Sequence, residues 1–162
     1  KSLDKTERAQ ELANQRGFVK CTKCKACKIG KNMKEIKTRS GEVKEIKMRI
    51  TCQTEFVVYA IQCPFLKQYI GSKTCKLHKR ILEHIRAVHN NDRAYTIAKH
   101  MEIHHESGWQ KLSYFGFDHV PKWERRGNRE LSLRQKESRW ILMIDTEQPQ
   151  GLNSDAELHI HL

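Results

Sequence analysis

Four side-chain types that can do chemistry recur at telling positions. Tyr59 and Tyr69 sit in the stretch FVVYAIQCPFLKQYIGSKT, and Ile70-Gly71 follows the second of them. Arg80 and His84 come next in KRILEH at i, i+4 spacing, one face of a helix, beside an apolar stripe of Leu77, Ile81, Ile85 and Val88. Further on, Glu137 shares a helical face with Leu133, Trp140, Ile141 and Ile144. A carboxylate inside an apolar stripe must be paired, protonated or bound to a cation, and an ion pair with Arg80 or Arg134 is the plain alternative to a cation. Two tyrosines in a small sheet ordinarily mean packing, and charged groups flanking a stripe are ordinarily solvated. The chemistry therefore depends on whether the fold gathers these groups.

The cysteines form a second set. Cys21, Cys24 and Cys27 make two overlapping CxxC steps in CTKCKAC, and Cys52, Cys63 and Cys75 follow. With no secretory signal, this spacing points to metal thiolates rather than disulfides. The neighbouring lysines favour the ionised thiolate.

The elements that must position these groups can be read from period and punctuation. TERAQELANQ reads as a short polar helix. Ser40-Gly41 is a turn between charged, partly alternating segments, and Ile46, Met48 and Ile50 alternate as in a half-buried strand. Phe56 to Ile61 and Gln68 to Gly71 read as two strands about a turn at Pro64. Helices are expected over Lys76–Asn90, Ala94–His105 and Arg129–Asp145, a strand over KLSYFGFDHV, and a loop over PKWERRGN. The order strand, strand, helix, helix, strand, helix predicts an α+β domain: a small, mostly antiparallel three-stranded sheet flanked by helices over 51–162. Residues 1–50 read as a basic linker carrying a Cys-rich, zinc-binding knot.

Composition narrows the partners. The net charge is +12 over 162 residues, and residues 1–50 hold 15 Lys+Arg against 6 Asp+Glu. Such a surplus favours a polyanion. Lys20, Lys23, Lys25, Lys28, Lys73 and Lys76 are the candidate phosphate contacts; a solvated basic tail is the bland alternative. No apolar run is long enough to span a bilayer, so a soluble intracellular protein without a membrane partner is expected.

Taken in order, VVY, YIG, a helix bearing Arg80 and His84, a helix with an embedded Glu137, and a late Asn153 resemble the GIY-YIG nuclease domain. The first triplet departs from that pattern, Val57-Val58 standing for Gly-Ile. With CTKCKAC, ITCQTEFVVYAIQC, IAKHMEIHH, LRQKESRWI and QPQGLN, the chain from Cys21 onward is similar to the endonuclease end of Penelope-like retroelement polyproteins.

What the resemblance implies is a DNA endonuclease. Phosphodiester hydrolysis needs an activated water, stabilisation of developing negative charge and help for the departing oxygen. By resemblance, Tyr59 activates the water, Arg80 clamps the scissile phosphate and Glu137 holds one Mg²⁺ or Mn²⁺. Tyr69 positions the phosphate or Tyr59, and His84 supports proton transfer or contacts phosphate. Gly71 permits close backbone approach, and Asn153 ties the tail to the core. A nick leaving 3′-hydroxyl and 5′-phosphate ends would prime reverse transcription, so the implied partners are target DNA, retroelement RNA and a reverse transcriptase in the same polyprotein, in the nucleus. A non-catalytic nucleic-acid-binding module and a structure-selective repair or recombination nuclease are the alternatives.

Two zinc arrangements compete. One is a closed site of four thiolates, Cys21, Cys24, Cys27 and Cys52. The other joins cysteine to His100 with His104 or His105. Related retroelement nucleases are similar in carrying two cysteines between the tyrosine motifs, whereas here Cys63 stands alone and Phe65 takes the second place.

Overall fold

The computed structural model describes residues 4–123 and 128–154. The centre of the molecule is a three-stranded antiparallel sheet built from β5 (Val57–Gln62), β6 (Gln68–Lys73) and β7 (Ser113–His119), with β5 in the middle. The run VVYAIQ has no polar alternation because both faces of β5 are covered; Val57 to Ile61 are all buried. Helix α2 (Leu77–His89) and helix α3 (Thr96–His105) follow β6, and α4 (Arg129–Ile144) closes the core. The expected helices and strands thus appear in the expected order, with ends within two residues. The expected loop over PKWERRGN lies partly outside the described residues.

Register decides which groups share a face. Tyr59 lies opposite Gly71 and Ile61 opposite Tyr69 on one face, while Val58 lies opposite Ser72 on the other. The β5–β7 pairing shifts between Val58 and Tyr59, a bulge beside the candidate site. Gly71 has no latitude for a side chain: a Cβ there would stand 2.5 Å from the Tyr59 hydroxyl and 2.9 Å from Tyr69 Cε1. The Tyr59 phenol lies across the strand in the space Gly71 leaves.

The N-terminal region is ordered and packs on the sheet. Helix α1 (Lys5–Asn14) opens with a reciprocal cap, Asp4 Oδ1 accepting from the Thr6 and Glu7 amides while Glu7 accepts from the Asp4 amide. Strand β1 (Gly17–Val19) pairs in parallel with β4 (Arg49–Thr51), and β2 (Glu35–Lys37) forms a hairpin with β3 (Val43–Glu45) around Ser40-Gly41. Strand β1 was not expected from a segment that reads as polar. The alternation of Ile46, Met48 and Ile50 yields only the short β4, because Ile46 spends its amide on Lys34 of the hairpin. Phe18, Ile36, Ile46 and Ile50 join the same buried cluster as Tyr59, Leu77 and Tyr114, so one core runs through both regions.

Both edges of the sheet are occupied. Along β7, Tyr114 donates its amide to Ile29 at 3.0 Å and accepts from Lys31 at 2.9 Å. Along β6, the side chain of Asn153 acts as a strand: its Oδ1 accepts from the Ile70 amide at 2.9 Å and its Nδ2 donates to the Ile70 carbonyl at 2.8 Å. Leu152 adds a backbone bond to Gln68 at 2.9 Å. Asn153→Ala orphans both polar groups of a buried residue and is expected to cost about 2–3 kcal/mol. Urea denaturation measures it, and a loss below about 0.5 kcal/mol would deny the clamp this role.

Candidate active site and metal centres

The helical face of α2 meets the tyrosine face of the sheet. Residues 80 and 84 fall on that side, and His84 enters the apolar stripe itself, 3% exposed among Leu77, Ile81, Ala87 and Val88. Its Nε2 lies 2.9 Å from the Tyr59 hydroxyl, and Arg80 donates its Nε–H to the same oxygen at 3.1 Å. A guanidinium can only donate, so the phenolic oxygen accepts from Arg80, and its own proton is available to His84 Nε2 in the tautomer that carries its proton on Nδ1. The imidazole is ringed edge-on by Tyr59, Tyr69 and Tyr95 at centroid distances of 5.9, 5.5 and 5.7 Å. Burial, and then the Arg80 charge, push the His84 pKa down to about 3, so the ring is neutral and resists protonation.

Arg80 is also held from the side. Its Nη1 pairs with Glu83 at 2.7 Å, and its guanidinium lies 5.9 Å from the Tyr95 ring centre. Tyr69, Arg80, His84 and Tyr95 line a small cleft of about 190 Å³. Tyr59 itself is wholly buried behind them.

Glu137 reaches β6 from the other face. The Ser72 hydroxyl donates to its Oε2 at 2.7 Å, and register puts Ser72 opposite Val58, away from Tyr59. The phenol–imidazole–guanidinium cluster and the carboxylate therefore flank the edge strand at adjacent residues, Gly71 and Ser72. Arg80 takes Glu83 as its carboxylate. Beside Glu137 on α4, Lys136 and Trp140 reach Asp118 of β7, at 3.4 and 2.9 Å.

The four cysteines Cys21, Cys24, Cys27 and Cys52 converge so that they could hold a metal ion. Cys27 Sγ lies 3.6, 3.4 and 3.5 Å from the sulfurs of Cys21, Cys24 and Cys52. Tetrahedral zinc with bonds of ~2.3 Å separates its sulfurs by ~3.8 Å, so the set is close to that geometry. The Cys21 amide points at Cys52 Sγ and the Thr22 amide at Cys27 Sγ, at 3.4 and 3.2 Å. Burial pushes the Cys24 and Cys52 thiols up; around Cys21 burial also acts upward, but backbone and thiol hydrogen bonds outweigh it and leave about 6. Four thiolates this close cannot coexist without a cation. The Tyr114 hydroxyl lies 3.1 Å from Cys52 Sγ, and burial raises its pKa, so it remains a donor to that sulfur. The lysines of this knuckle, Lys23, Lys25 and Lys28, are exposed, as is Lys76; Lys20 and Lys73 are half-buried.

A second cluster joins Cys63 to His100 and His105, with ligand atoms within 4.8 Å of one another. Of the two histidines weighed against His100, the fold brings in His105; His104 stays outside the cluster, 4.9 Å from His100 by ring centroids. His100 Nε2 and His105 Nε2 are buried with no hydrogen-bond partner among the described residues. Phe65 packs its ring 4.3 Å from that of His105. These three nitrogen and sulfur donors are the second set among the described residues that could hold a metal ion.

Sequence reasoning missed Ser72, Glu83, Tyr95 and the Cys52–Tyr114 contact. Ser72 could have been found from the strand alternation that puts it on the other face from Gly71, whereas Tyr95, expected inside the third helix, stands at its N-cap.

No protein-family model, no curated protein and no solved structure matches the chain.

Two measurements follow from this geometry. Metal analysis of the purified chain is expected to lose one equivalent in Cys27→Ser relative to the parent, and stripping that metal is expected to raise hydrogen exchange at the Lys31 and Tyr114 amides. Exchange that does not change would mean the knuckle holds without metal. The second concerns His84: its folded pKa lies below the unfolded value of about 6.5, so the unfolded chain binds the extra proton and stability falls as pH drops from 7 toward 3. Between pH 7 and pH 5 the parent should lose about 2 kcal/mol more than His84→Gln; equal losses in denaturant titrations would refute the assignment.

Proposed function

We propose that this chain is a divalent-cation-dependent DNA endonuclease of the GIY-YIG kind, nicking to leave 3′-hydroxyl and 5′-phosphate ends. The observation that carries the reading is the Tyr59 hydroxyl bonded at once to His84 Nε2 and Arg80 Nε. Such a phenol has a neutral imidazole to receive its hydrogen bond and a cation beside its oxygen, and that cation lowers the cost of negative charge on a tyrosine whose ordinary pKa is near ~10. The Tyr59 hydroxyl orients the attacking water while its own proton is directed onto His84.

Arg80 has a second task. Its planar fork suits a phosphate: Nη1, which pairs with Glu83, can turn to a phosphate in the cleft while Nε stays on the Tyr59 oxygen. Tyr69, at the cleft wall, positions the phosphate. Glu137 holds the cation, with Ser72 fixing the carboxylate; Mg²⁺ or Mn²⁺ bound there supplies charge stabilisation for the departing 3′ oxygen. The Cys21, Cys24, Cys27 and Cys52 set carries a structural zinc, and Cys63, His100 and His105 carry another. In this reading a 3′-hydroxyl released at the target primes a reverse transcriptase of the same retroelement polyprotein, in the nucleus.

The complete burial of Tyr59 favours a second reading, a binding module that docks nucleic acid without cutting it. Supercoiled plasmid separates the two. The parent is expected to convert it to open circles with Mg²⁺, and Glu137→Ala is expected to lose at least a hundredfold in rate while retaining DNA binding. Binding by the parent without any Mg²⁺-dependent nicking would establish the module instead.

A further inference from the structure

Beyond the candidate active site, the most distinctive surface lies at the end of the sheet where Val57 pairs with Lys73 on one side and His119 on the other. Two clefts of about 510 and 410 Å³ share a wall made of His119, Pro121 and Trp123. Trp123 crowns that wall, 78% exposed. The facing wall of the larger cleft carries Arg16, Lys47 and Arg49, all exposed, and none has a carboxylate partner among the described residues. The smaller cleft adds Lys122 on the near side, with Glu55 as its acid.

The support beneath this wall is rigid. Arg129 donates Nε–H and Nη2–H to the Val120 carbonyl at 3.0 and 2.7 Å and stacks 3.6 Å over the Phe56 ring. A bare indole on a braced wall, facing three unpaired cations, combines a stacking platform with a phosphate track. Base–aromatic stacking tolerates any sequence but requires a base whose face is free, which a duplex interior does not offer.

Position ties this surface to the site. Ser72, Val58 and Asp118 form one row across β6, β5 and β7, and His119 is the next residue along β7. Two strand spacings of ~4.8 Å put it ~10 Å from the residue that holds Glu137. We propose that the Trp123 groove holds an unpaired segment of the nucleic acid engaged at the candidate site, one base stacked on the indole and its phosphates on Arg16, Lys47 and Arg49. The inference rests on the nucleic-acid reading above and deepens it: the substrate is a junction between paired and single-stranded nucleic acid rather than uniform duplex.

The test measures binding by the full chain in the Glu137→Gln background, zinc-replete and without Mg²⁺, so that no probe is cut. The probes are a 12-nucleotide oligo-dT, the matching oligo-U and a blunt DNA hairpin. Trp123→Ala is expected to weaken single-strand binding roughly fivefold or more while changing hairpin binding less than twofold, and Trp123→Phe to restore most of it. Neutralising Lys47 and Arg49 to Gln is expected to flatten the plot of log affinity against log salt by about 1.4. The tighter of the two single-stranded probes names the strand as DNA or RNA. Single-strand affinity unmoved by Trp123→Ala, or an equal loss on the hairpin, would overturn the proposal and leave the groove to a protein partner. A parent chain that shows the expected binding yet never nicks plasmid sinks the nuclease reading alone.

Discussion

The contact on which the site depends is the Tyr59 ring lying across Gly71. A Cβ at that point would come within 2.5 Å of the phenolic oxygen, so the strand must be bare there for the hydroxyl to lie where Arg80 and His84 can reach it. The register of the hairpin, the burial of His84 and the approach of α2 all follow from that one vacancy. Sheet geometry then places the next residue, Ser72, on the opposite face, where it meets Glu137. The six residues of β6 thus lie between the Tyr59, His84 and Arg80 cluster on one side and the Glu137 carboxylate on the other.

The cysteine knuckle takes part in the same architecture. Cys52 stands just after β4, its sulfur touches Tyr114 in β7, and the residues after Cys27 run along that strand's free edge. Charge and covering are thereby combined: exposed lysines project from a turn whose buried side caps the sheet. A basic arm with few apolar residues gains its order from thiolate geometry and from this edge, and its apolar residues, Phe18, Ile36 and Ile50, complete the common core.

The sequence carried most of the element order because period and punctuation were strong in VVYAIQ and in the helical stripe from Leu77; the cap before α4, where Asn128 accepts from the Glu130 and Leu131 amides, was not read. It carried less where pairing is long-range. Strand β1 is three residues held extended by β4, 32 positions away, and at Phe18 by Met33. Arg80 and His84 were legible as neighbours, but the immersion of His84 in the apolar stripe was not, since an imidazole reads as polar until its tyrosine partners surround it. In the histidine cluster, helical spacing pointed to His104, four residues from His100, whereas the fold sets His105 beside Cys63, a long-range placement that spacing does not show. The carboxylate of Glu137 was visible as an anomaly in its stripe, and its hydroxyl partner was not.

Asn153 has a further meaning for solubility. Strand β6 lies at the border of its sheet, and such a border offers unsatisfied amides and carbonyls to any other extended chain. Here the outward groups at Gln68 and Ile70 are consumed by Leu152 and by an asparagine amide that imitates one residue of a strand and then ends. A side chain can satisfy a border without continuing it. The molecule is thereby guarded against stacking into larger sheets at the strand that carries Gly71 and Ser72.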